Sequence, residues 1–237
     1  MILFPAIDLV DGKAVRLFKG DYAQMTVYSE HPEEIARDFV ARGAGHIHIV
    51  DLEGAKDGTT PNLKAVCAIK AASGAFCEIG GGVRSMQVVE RYLSAGLDRV
   101  ILGTAAVTDR AFLREAVAEF GEKIAVGVDL KDGFVAVKGW TETTALTADG
   151  FCAEMKALGV QTLICTDISR DGAMQGTNLA LYRGLSEKFD LQITASGGVS
   201  SLEDVKKLRE MDLYGAIIGK AYYTGALDLR EAIEAAR

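Results

Sequence analysis

The sequence has few of the residues that build metal centres or redox-active sites. Its 237 residues include only four cysteines and three histidines. Cys67, Cys77, Cys152 and Cys165 form no Cys-x-x-Cys pair, and none lies beside a histidine at the spacing of a metal site. No histidine is paired with a serine or a cysteine in the pattern of a nucleophilic triad. We therefore expect no bound metal, and buried thiols in a reducing compartment.

A basic leader and a long hydrophobic run are also missing. The first residues, MILFPAIDLVDGK, are apolar only as far as Asp8, so we expect neither a signal peptide nor a membrane span there. The net charge of −7 argues against nucleic acid or an acidic membrane surface as the main partner. A phosphorylated small molecule stays compatible with that charge, because a few local amides and cations outweigh a diffuse negative field. These observations predict a cytoplasmic protein.

Short apolar runs alternate with longer segments of helical period along the whole chain. The candidate strands are apolar at consecutive positions, as strands buried on both faces are. They are ILFPAID, HIHIVD, FCEIG, RVILG, IAVGVD, TLICTD, QITASG and GAIIG. Eight strand–helix units without a low-complexity linker or a Pro-rich seam predict an α/β protein, a single (β/α)8 TIM barrel over residues 1–237. A doubly wound open sheet is the alternative.

The sequence also repeats itself. GGVRSMQVVERYLSAGLDRVILGTA at 81–105 aligns with GGVSSLEDVKKLREMDLYGAIIGKA at 197–221, which is an offset of 116 residues. The stretch IDLVDGKAVRLF likewise returns as VDLKDGFVAV, and there Asp8 and Asp129 are 121 residues apart. We interpret this as a two-fold internal repeat of half-barrels, approximately 1–122 and 123–237, joined head to tail. An open sheet needs no such symmetry.

The four aspartates of the repeated stretch have two different predicted roles. Asp11 and Asp132 each precede a glycine, and Asp-Gly followed by alternating apolar residues is typical of a hairpin turn. Asp8 and Asp129 end strands 1 and 5, which lie opposite each other at the end of the barrel where active sites form. Two facing carboxylates suit acid–base catalysis if their environments separate their pKa values. A capping or turn role is the alternative for this pair.

Glycine clusters at matching positions of the two halves predict two phosphate sites. Glycine lets backbone amides approach an anion, and these barrels commonly bind phosphate after their last strands. A substrate with a phosphate at each end would span the mouth and pass over both aspartates. Tight turns alone are the alternative explanation. The predicted phosphate-binding residues are Gly81, Gly82, Gly103 and Thr104 in the first half, and Gly197, Gly198, Gly219 and Lys220 in the second.

Four further residues are candidates for the active site. Thr166 lies at the end of strand 6 and can hydrogen-bond a substrate or a carboxylate, and Asp171 follows in a loop that can reach the mouth. Arg84 could pair with a phosphate or a carboxamide. Trp140, the only tryptophan, lies in a loop long enough to fold over a flat ring. A structural role is the alternative for each.

Together these motifs resemble the phosphoribosylformimino-aminoimidazole carboxamide ribotide isomerases of histidine biosynthesis. The similarity runs in register from about residue 1 to 235 and is carried by PAIDLVDGKAVRL, VDLEGA, IGGGVRS, VILGTAAV, VGVDLKDG, TDISRDG, ASGGVSS and GAIIGKA. The resemblance implies a barrel that needs no metal or organic cofactor, acts as a monomer and catalyses an Amadori rearrangement of an aminoaldose to an aminoketose. It also implies that Asp8 is the general base and Asp129 the general acid, with Thr166 and Asp171 beside them.

Three alternatives to that function stay open. The cyclase subunit of imidazole glycerol phosphate synthase shares the repeat, the aspartates and the phosphate sites, but is expected to have Cys-Leu-Asp at the first strand end and Asn-Thr after strand 4. This chain has IDL at 7–9, GT at 103–104 and VDL, without a long insertion, at 128–130, which favours the isomerase. A dual-substrate isomerase would also accept phosphoribosylanthranilate, but DLEGAKDGTTPNLKAV lacks the arginines expected of it. The third alternative is a non-catalytic sugar-phosphate-binding barrel.

Overall fold

Eight of the twelve strands close into a parallel barrel in a computed structural model that describes residues 1–18 and 20–237. The strands are β1 (Ile2–Val10), β2 (Lys13–Phe18), β3 (Asp21–Ser29), β4 (His46–Asp51), β5 (Phe76–Gly80), β6 (Arg99–Leu102), β7 (Ile124–Lys131), β8 (Phe134–Val137), β9 (Glu142–Thr147), β10 (Thr162–Asp167), β11 (Gln192–Ser196) and β12 (Gly215–Ile218). The barrel order is β1, β4, β5, β6, β7, β10, β11, β12, and β12 pairs with β1 in parallel. This pairing closes the sheet, so the predicted TIM barrel is confirmed and the open sheet is wrong.

Helices connect the barrel strands on the outside. They are α1 (Pro32–Ala41), α2 (Leu52–Asp57), α3 (Leu63–Ser73), α4 (Met86–Ser94), α5 (Thr104–Thr108), α6 (Arg110–Phe120), α7 (Ala148–Ala157), α8 (Leu179–Lys188), α9 (Leu202–Arg209), α10 (Lys220–Tyr223) and α11 (Leu229–Ala236). Ser201 and Asp204 form a capping box at the start of α9, which explains why that helix is readable in the sequence. Two of the helices, α7 and α8, contain Gly150 and Gly184, which weaken the helical pattern there.

An antiparallel hairpin extends the first barrel strand of each half. Its turn lies at Asp11 in the first half and at Asp132 in the second, with φ of 50° and 52°, and each aspartate is followed by a glycine with positive φ. Positive φ at both central residues is what a type I′ hairpin requires, so the predicted turn role is confirmed. Asp8 pairs with Val15 across the first hairpin, and Asp129 pairs with Ala136 across the second. Both strands therefore run two residues beyond the aspartates rather than ending at them.

A buried ionic network fills the lower part of the barrel interior. Glu78 accepts hydrogen bonds from Nε and Nη2 of Arg99 at 2.9 and 2.6 Å, and its other oxygen lies 2.7 Å from Nδ1 of His48. Burial alone would raise the pKa of Glu78, but His48 and Arg99 together lower it. Arg99 also donates to Thr162 and Tyr214 in the second half. The network thus links the two halves beneath the mouth.

The four cysteines are free, and three of them are buried as expected, whereas Cys67 is half-buried. Among residues 1–18 and 20–237, no helix is long and apolar enough to cross a membrane.

Glycines allow neighbouring loops at the mouth to touch through their backbones. A Cβ on Gly82, where φ is +72°, would lie 1.7 Å from the carbonyl oxygen of Gly54. A Cβ on the matched Gly198, where φ is +81°, would lie 2.4 Å from the carbonyl oxygen of Gly176. Since atoms cannot approach so closely, only glycine fits at these two positions. A tight backbone contact at this glycine therefore occurs in both halves, with a different partner in each.

We predict that Gly82→Ala lowers the free energy of unfolding by about 3 kcal/mol or more, because overpacking adds to backbone strain. The matched control is Gly43→Ala, where φ is +100° but nothing lies within 4 Å of the added Cβ. The control should lose only about 1–2 kcal/mol, from backbone conformation alone. Urea denaturation of both variants measures the difference, and equal losses would contradict the contact.

Candidate active site

The mouth is the end of the barrel at which the parallel strands finish. The side chains that line its inner surface are set by the alternation of inward and outward side chains along each barrel strand. On β10, Leu163 and Cys165 pack in the large core, while Ile164 belongs to a separate cluster inside the barrel. Thr166 therefore faces inward at the upper end of that strand. The same alternation on all eight strands defines the mouth ring, whose members are Asp8, Val50, Gly80, Gly103, Asp129, Thr166, Ser196 and Gly219.

Asp8 forms a largely buried ion pair with Arg16 of β2. Nη1 of Arg16 donates to Oδ2 of Asp8 at 2.7 Å, and the two side chains are 15% and 13% exposed. Burial opposes the charge of Arg16, but Asp8, Tyr223 and Asp171 together outweigh burial and raise the pKa of the guanidinium. A Cβ on Gly219 would lie 1.9 Å from Nη2 of Arg16, so the guanidinium rests directly on the Gly219 backbone. Asp8 is thereby held as an ion-paired carboxylate at a fixed place in the mouth.

Asp129 has a different environment. Burial raises the pKa of Asp129, and side-chain hydrogen bonds with Trp140 and Thr166 oppose that rise without cancelling it. Thr166 is also the residue that pairs with Asp129 in the parallel β7–β10 ladder. The Trp140 ring lies against Gly20, where a Cβ would be 2.8 Å from its atoms. The turn between β8 and β9, which carries Trp140, therefore meets Gly20 in the turn between β2 and β3, above Asp129.

Asp171 reaches the same group from the loop after β10. Burial raises the pKa of Asp171 to about 6; Arg16 lowers this pKa, while Asp8 and Asp129 raise it further. Electrostatic coupling to all three residues places Asp171 among them. A carboxyl that titrates near neutral pH is a candidate for proton transfer. The fold thus brings together five residues that the sequence predicted, and it adds Arg16; the five are Asp8, Asp129, Thr166, Asp171 and Trp140.

The predicted phosphate residues border this group in two matched sets. Gly103 and Gly219 have nearly the same backbone conformation, with φ/ψ of −95°/−113° and −107°/−107°. Thr104 accepts a hydrogen bond from the Lys138 backbone at 3.1 Å. Gly81, Gly82, Gly197 and Gly198 all have positive φ and pack against the end of the preceding barrel strand or the segment that follows it. Their close packing explains the glycines without a ligand, so phosphate binding stays a prediction.

Lys220 is the one site residue among these two sets that carries a charge. Its Nζ donates to the carbonyl oxygen of Gly172 at 3.0 Å and lies 5.1 Å from the centre of the Phe18 ring. It therefore connects the β12 end of the mouth to the loop that carries Asp171.

Arg84 lies apart from the carboxylate group. It is exposed, and its Nη2 donates to the carbonyl oxygens of Ala55 and Lys56 at 2.8 and 3.3 Å, at the end of α2. These bonds satisfy carbonyls that a helix end leaves free. The structural alternative therefore accounts for Arg84, and its role toward a substrate stays a prediction.

Sequence reasoning missed Arg16. It is a charged residue inside the alternating stretch KAVRLF, where the second copy, FVAV, has the apolar Val137 at the matched position. That mismatch between the copies was the available signal. Within residues 1–18 and 20–237, no cluster of three or more His, Cys, Asp or Glu side chains could hold a metal ion.

Comparison with known proteins agrees with this geometry. The model of the family described as "Histidine biosynthesis protein" matches residues 2–228. The chain belongs to this family. The resemblance predicted from the motifs is therefore confirmed.

Curated relatives in this histidine biosynthesis family cover nearly the whole chain. A protein of Syntrophomonas wolfei is 48% identical over 240 residues, covering 100% of this chain and 98% of its own length. A protein of Oceanobacillus iheyensis is 46% identical over 234 residues, covering 99% and 98%. A protein of Clostridium acetobutylicum is 46% identical over 233 residues, covering 98% of each. All three are named 1-(5-phosphoribosyl)-5-((5-phosphoribosylamino)methylideneamino)imidazole-4-carboxamide isomerase.

We predict that Asp171→Asn stabilises the protein at pH 8. A carboxyl whose pKa rises from 3.8 to about 6 on folding favours the folded state below pH 3.8 and loses that contribution as the pH rises through about 6. The ionised side chain at pH 8 therefore costs stability on the order of 1–3 kcal/mol, which asparagine removes. Urea denaturation at pH 8 and pH 4 should show a higher free energy of unfolding for the variant than for the wild type only at pH 8.

Asp57→Asn is the matched control for this substitution. Hydrogen bonds from Thr59 lower the pKa of the exposed Asp57, so its substitution should give no gain at pH 8. If Asp171→Asn is only as stable as the wild type at pH 8, the buried ionised Asp171 does not destabilise the protein.

Proposed function

We propose that this protein catalyses the isomerisation for which its relatives are named. The substrate in that name carries two 5-phosphoribosyl groups, one on the imidazole and one on the amino nitrogen. The observation that carries the proposal is the pair Asp8 and Asp129, which occupy matched positions of the mouth ring in contrasting environments. Asp8 is ion-paired with Arg16, whereas burial raises the pKa of Asp129. Such a difference suits one carboxylate that accepts a proton and one carboxyl that donates it.

The reaction class is an Amadori rearrangement, an intramolecular oxidoreduction of an aldose to a ketose. Asp129 donates its proton to the ring oxygen of the phosphoribosylamino group. The C1–O bond breaks as the nitrogen lone pair forms a C1=N bond, which leaves an open-chain protonated Schiff base. Asp8 then removes the proton from C2, and the electrons of the C2–H bond form the C1=C2 bond of an enolamine while the π electrons of the C1=N bond return to the nitrogen. Loss of the proton from the C2 hydroxyl and protonation of C1 give the aminoketose.

Neighbouring side chains would support these steps. Thr166 and Trp140 hydrogen-bond Asp129 and so orient its carboxyl toward the substrate. Asp171, with a pKa of about 6, is placed to relay a proton between the aspartates and solvent. The Trp140 ring, which meets Gly20 in the turn between β2 and β3, would cover the substrate and exclude water. Arg84 would assist from the rim.

The two phosphates of the substrate are proposed to bind the two glycine clusters. Gly81, Gly82, Gly103 and Thr104 would hold one, and Gly197, Gly198, Gly219 and Lys220 the other. Their matched positions on opposite sides of the barrel axis support this assignment, since a ligand that joins them crosses between Asp8 and Asp129. We also propose, from the biosynthetic role of the relatives, that the protein is cytoplasmic and acts as a monomer.

We predict that Asp8→Asn and Asp129→Asn each lower turnover of this substrate by about 10²-fold or more, the scale of lost acid–base catalysis. Each substitution keeps the shape of the side chain and removes its proton transfer. A coupled assay of ketose formation measures the rates, with Asp11→Asn as a control at a hairpin turn. Near-normal turnover in either variant would exclude that residue from the mechanism. Tight substrate binding by the wild type without turnover would instead favour the non-catalytic barrel.

A further inference from the structure

The two aspartates of the mouth ring occupy matched positions, but the segments around them differ in two places. One place is the hairpin strand that pairs with the aspartate's own strand, where Arg16 corresponds to Val137. The other is the short helix after the neighbouring barrel strand, where Tyr223 of α10 corresponds to Val107 of α5 at the offset of 116 residues. The first aspartate is thus flanked by segments that carry an arginine and a tyrosine, and the second by segments that carry valines.

The ion pair with Asp8 leaves part of the Arg16 guanidinium without a hydrogen bond. Nη1 donates to Asp8, but the buried Nε has no hydrogen-bond partner among residues 1–18 and 20–237. The Tyr223 ring provides a second support, since its centre lies 5.5 Å from Cζ of Arg16. This distance is within the range of a cation–π interaction, which is strongest where water is excluded. The Gly219 backbone and the Tyr223 ring therefore both limit where the guanidinium can lie.

A hydrogen bond to β1 holds the Tyr223 side chain in place. Its hydroxyl donates to the carbonyl oxygen of Ala6 at 2.8 Å. Because β1 pairs with β12 as far as Pro5 and with β2 from Asp8 onward, Ala6 lies in the gap between the two ladders. A strand carbonyl in such a gap needs a partner from outside the sheet, which the hydroxyl supplies. The same bond therefore fixes the ring and the β1 backbone two residues before Asp8.

Two more tyrosines pack against this ring. The centre of the Tyr28 ring on β3 lies 4.7 Å from that of Tyr223, and the Tyr222 ring meets it edge to face at 5.0 Å. Tyr222 is held in turn by its hydroxyl, which donates to Asp38 at 2.6 Å. Rotation of the Tyr223 ring would break these contacts. The ring is therefore a fixed surface for the guanidinium.

We propose that Tyr223 is a positioning residue for the catalytic base, an inference that rests on the proposed function. Its ring holds the guanidinium of Arg16, and Arg16 holds the carboxylate of Asp8 in the orientation that proton removal needs. A small displacement of a catalytic group costs a large share of the rate, so the effect falls on turnover. The valines at the matched positions suit Asp129, because a cation there would favour loss of the proton that this residue donates.

The kcat and KM of four variants test this role. Tyr223→Val copies the matched valine, and Tyr223→Leu removes the ring but keeps more of the side-chain volume. Tyr223→Phe keeps the ring and removes only the hydroxyl. The control is Tyr222→Phe on the same helix, which removes a hydroxyl that binds Asp38. Circular dichroism and a thermal melt establish that each variant is folded.

Tyr223→Val and Tyr223→Leu should each lower kcat by about tenfold, the scale of a cation–π interaction away from water, and leave KM within about twofold. Tyr223→Phe should keep kcat within about threefold of the wild type, because the ring stays and a single hydrogen bond is lost. Tyr222→Phe should keep a wild-type kcat. An unchanged kcat in the first two variants, an effect on KM alone, or a Tyr223→Phe variant as slow as Tyr223→Leu would overturn the proposal.

A double-mutant cycle tests whether Tyr223 acts through Arg16. In an Arg16→Met background, Tyr223→Leu should lower kcat by no more than about twofold, because the ring has no guanidinium left to hold. A merely structural role would give the same tenfold loss in both backgrounds, and that result would overturn the proposal. Single-turnover measurements with excess enzyme make the slow variants measurable.

Turnover of the substrate by the wild type separates this inference from the function on which it rests. An active wild type together with normal kcat in Tyr223→Leu removes only the positioning role. An inactive wild type overturns the proposed function, and the positioning role with it.

Discussion

Closure of the sheet by the pairing of β12 with β1 is the constraint on which the site depends. This pairing brings the last strand of the chain beside the first. Gly219 thereby lies directly under the guanidinium of Arg16, which in turn binds Asp8. In an open sheet these residues would be at opposite edges. The ion pair, and with it the fixed position of Asp8, is a consequence of the closed topology.

Below the mouth, the same closure determines how the interior is filled. Arg99 on β6 crosses the barrel to reach Thr162 and Tyr214, and Glu78 and His48 complete its partners. A buried arginine needs such partners because an unpaired charge in the interior is very costly. The network thus provides a firm floor, above which the ring carries the aspartates. Rigid support of this kind is what acid–base residues need to keep their geometry.

Much of the architecture could be predicted from the sequence because its signals are local. Strands buried on both faces read as continuous apolar runs, and HIHIVD, FCEIG and TLICTD match β4, β5 and β10 at both ends. The Asp11 and Asp132 turns also follow from local chemistry. The helices α7 and α8 are harder to predict, since the glycine within each weakens the periodic signal. The half-barrel boundaries stay a prediction, although turns, strand registers and glycine contacts recur at matched positions.

The parts of the site that could not be predicted depend on contacts between distant segments. Nothing near Arg16 in the chain indicates that it binds Asp8 and rests on Gly219. The raised pKa of Asp171 is likewise a product of burial beside two other aspartates, which only the folded chain brings together. The hydrogen bond from Arg84 to the end of α2 is another contact that the sequence does not indicate, and the role of Arg84 toward a substrate stays a prediction. The residue types were enough to predict acid–base chemistry, but they did not predict which distant residues each site residue contacts.

The most direct test of the proposed mechanism follows the reacting carbon itself. The aminoaldose substrate, labelled with ¹³C at C2 of its phosphoribosylamino group, is added to the purified wild-type protein without metal or ammonia. The mechanism predicts that the C2 resonance moves from the alcohol region to the ketone region of the carbon spectrum. An unchanged aldose signal, together with consumption of the ketose when ammonia is added, would contradict it and identify the cyclase reaction instead.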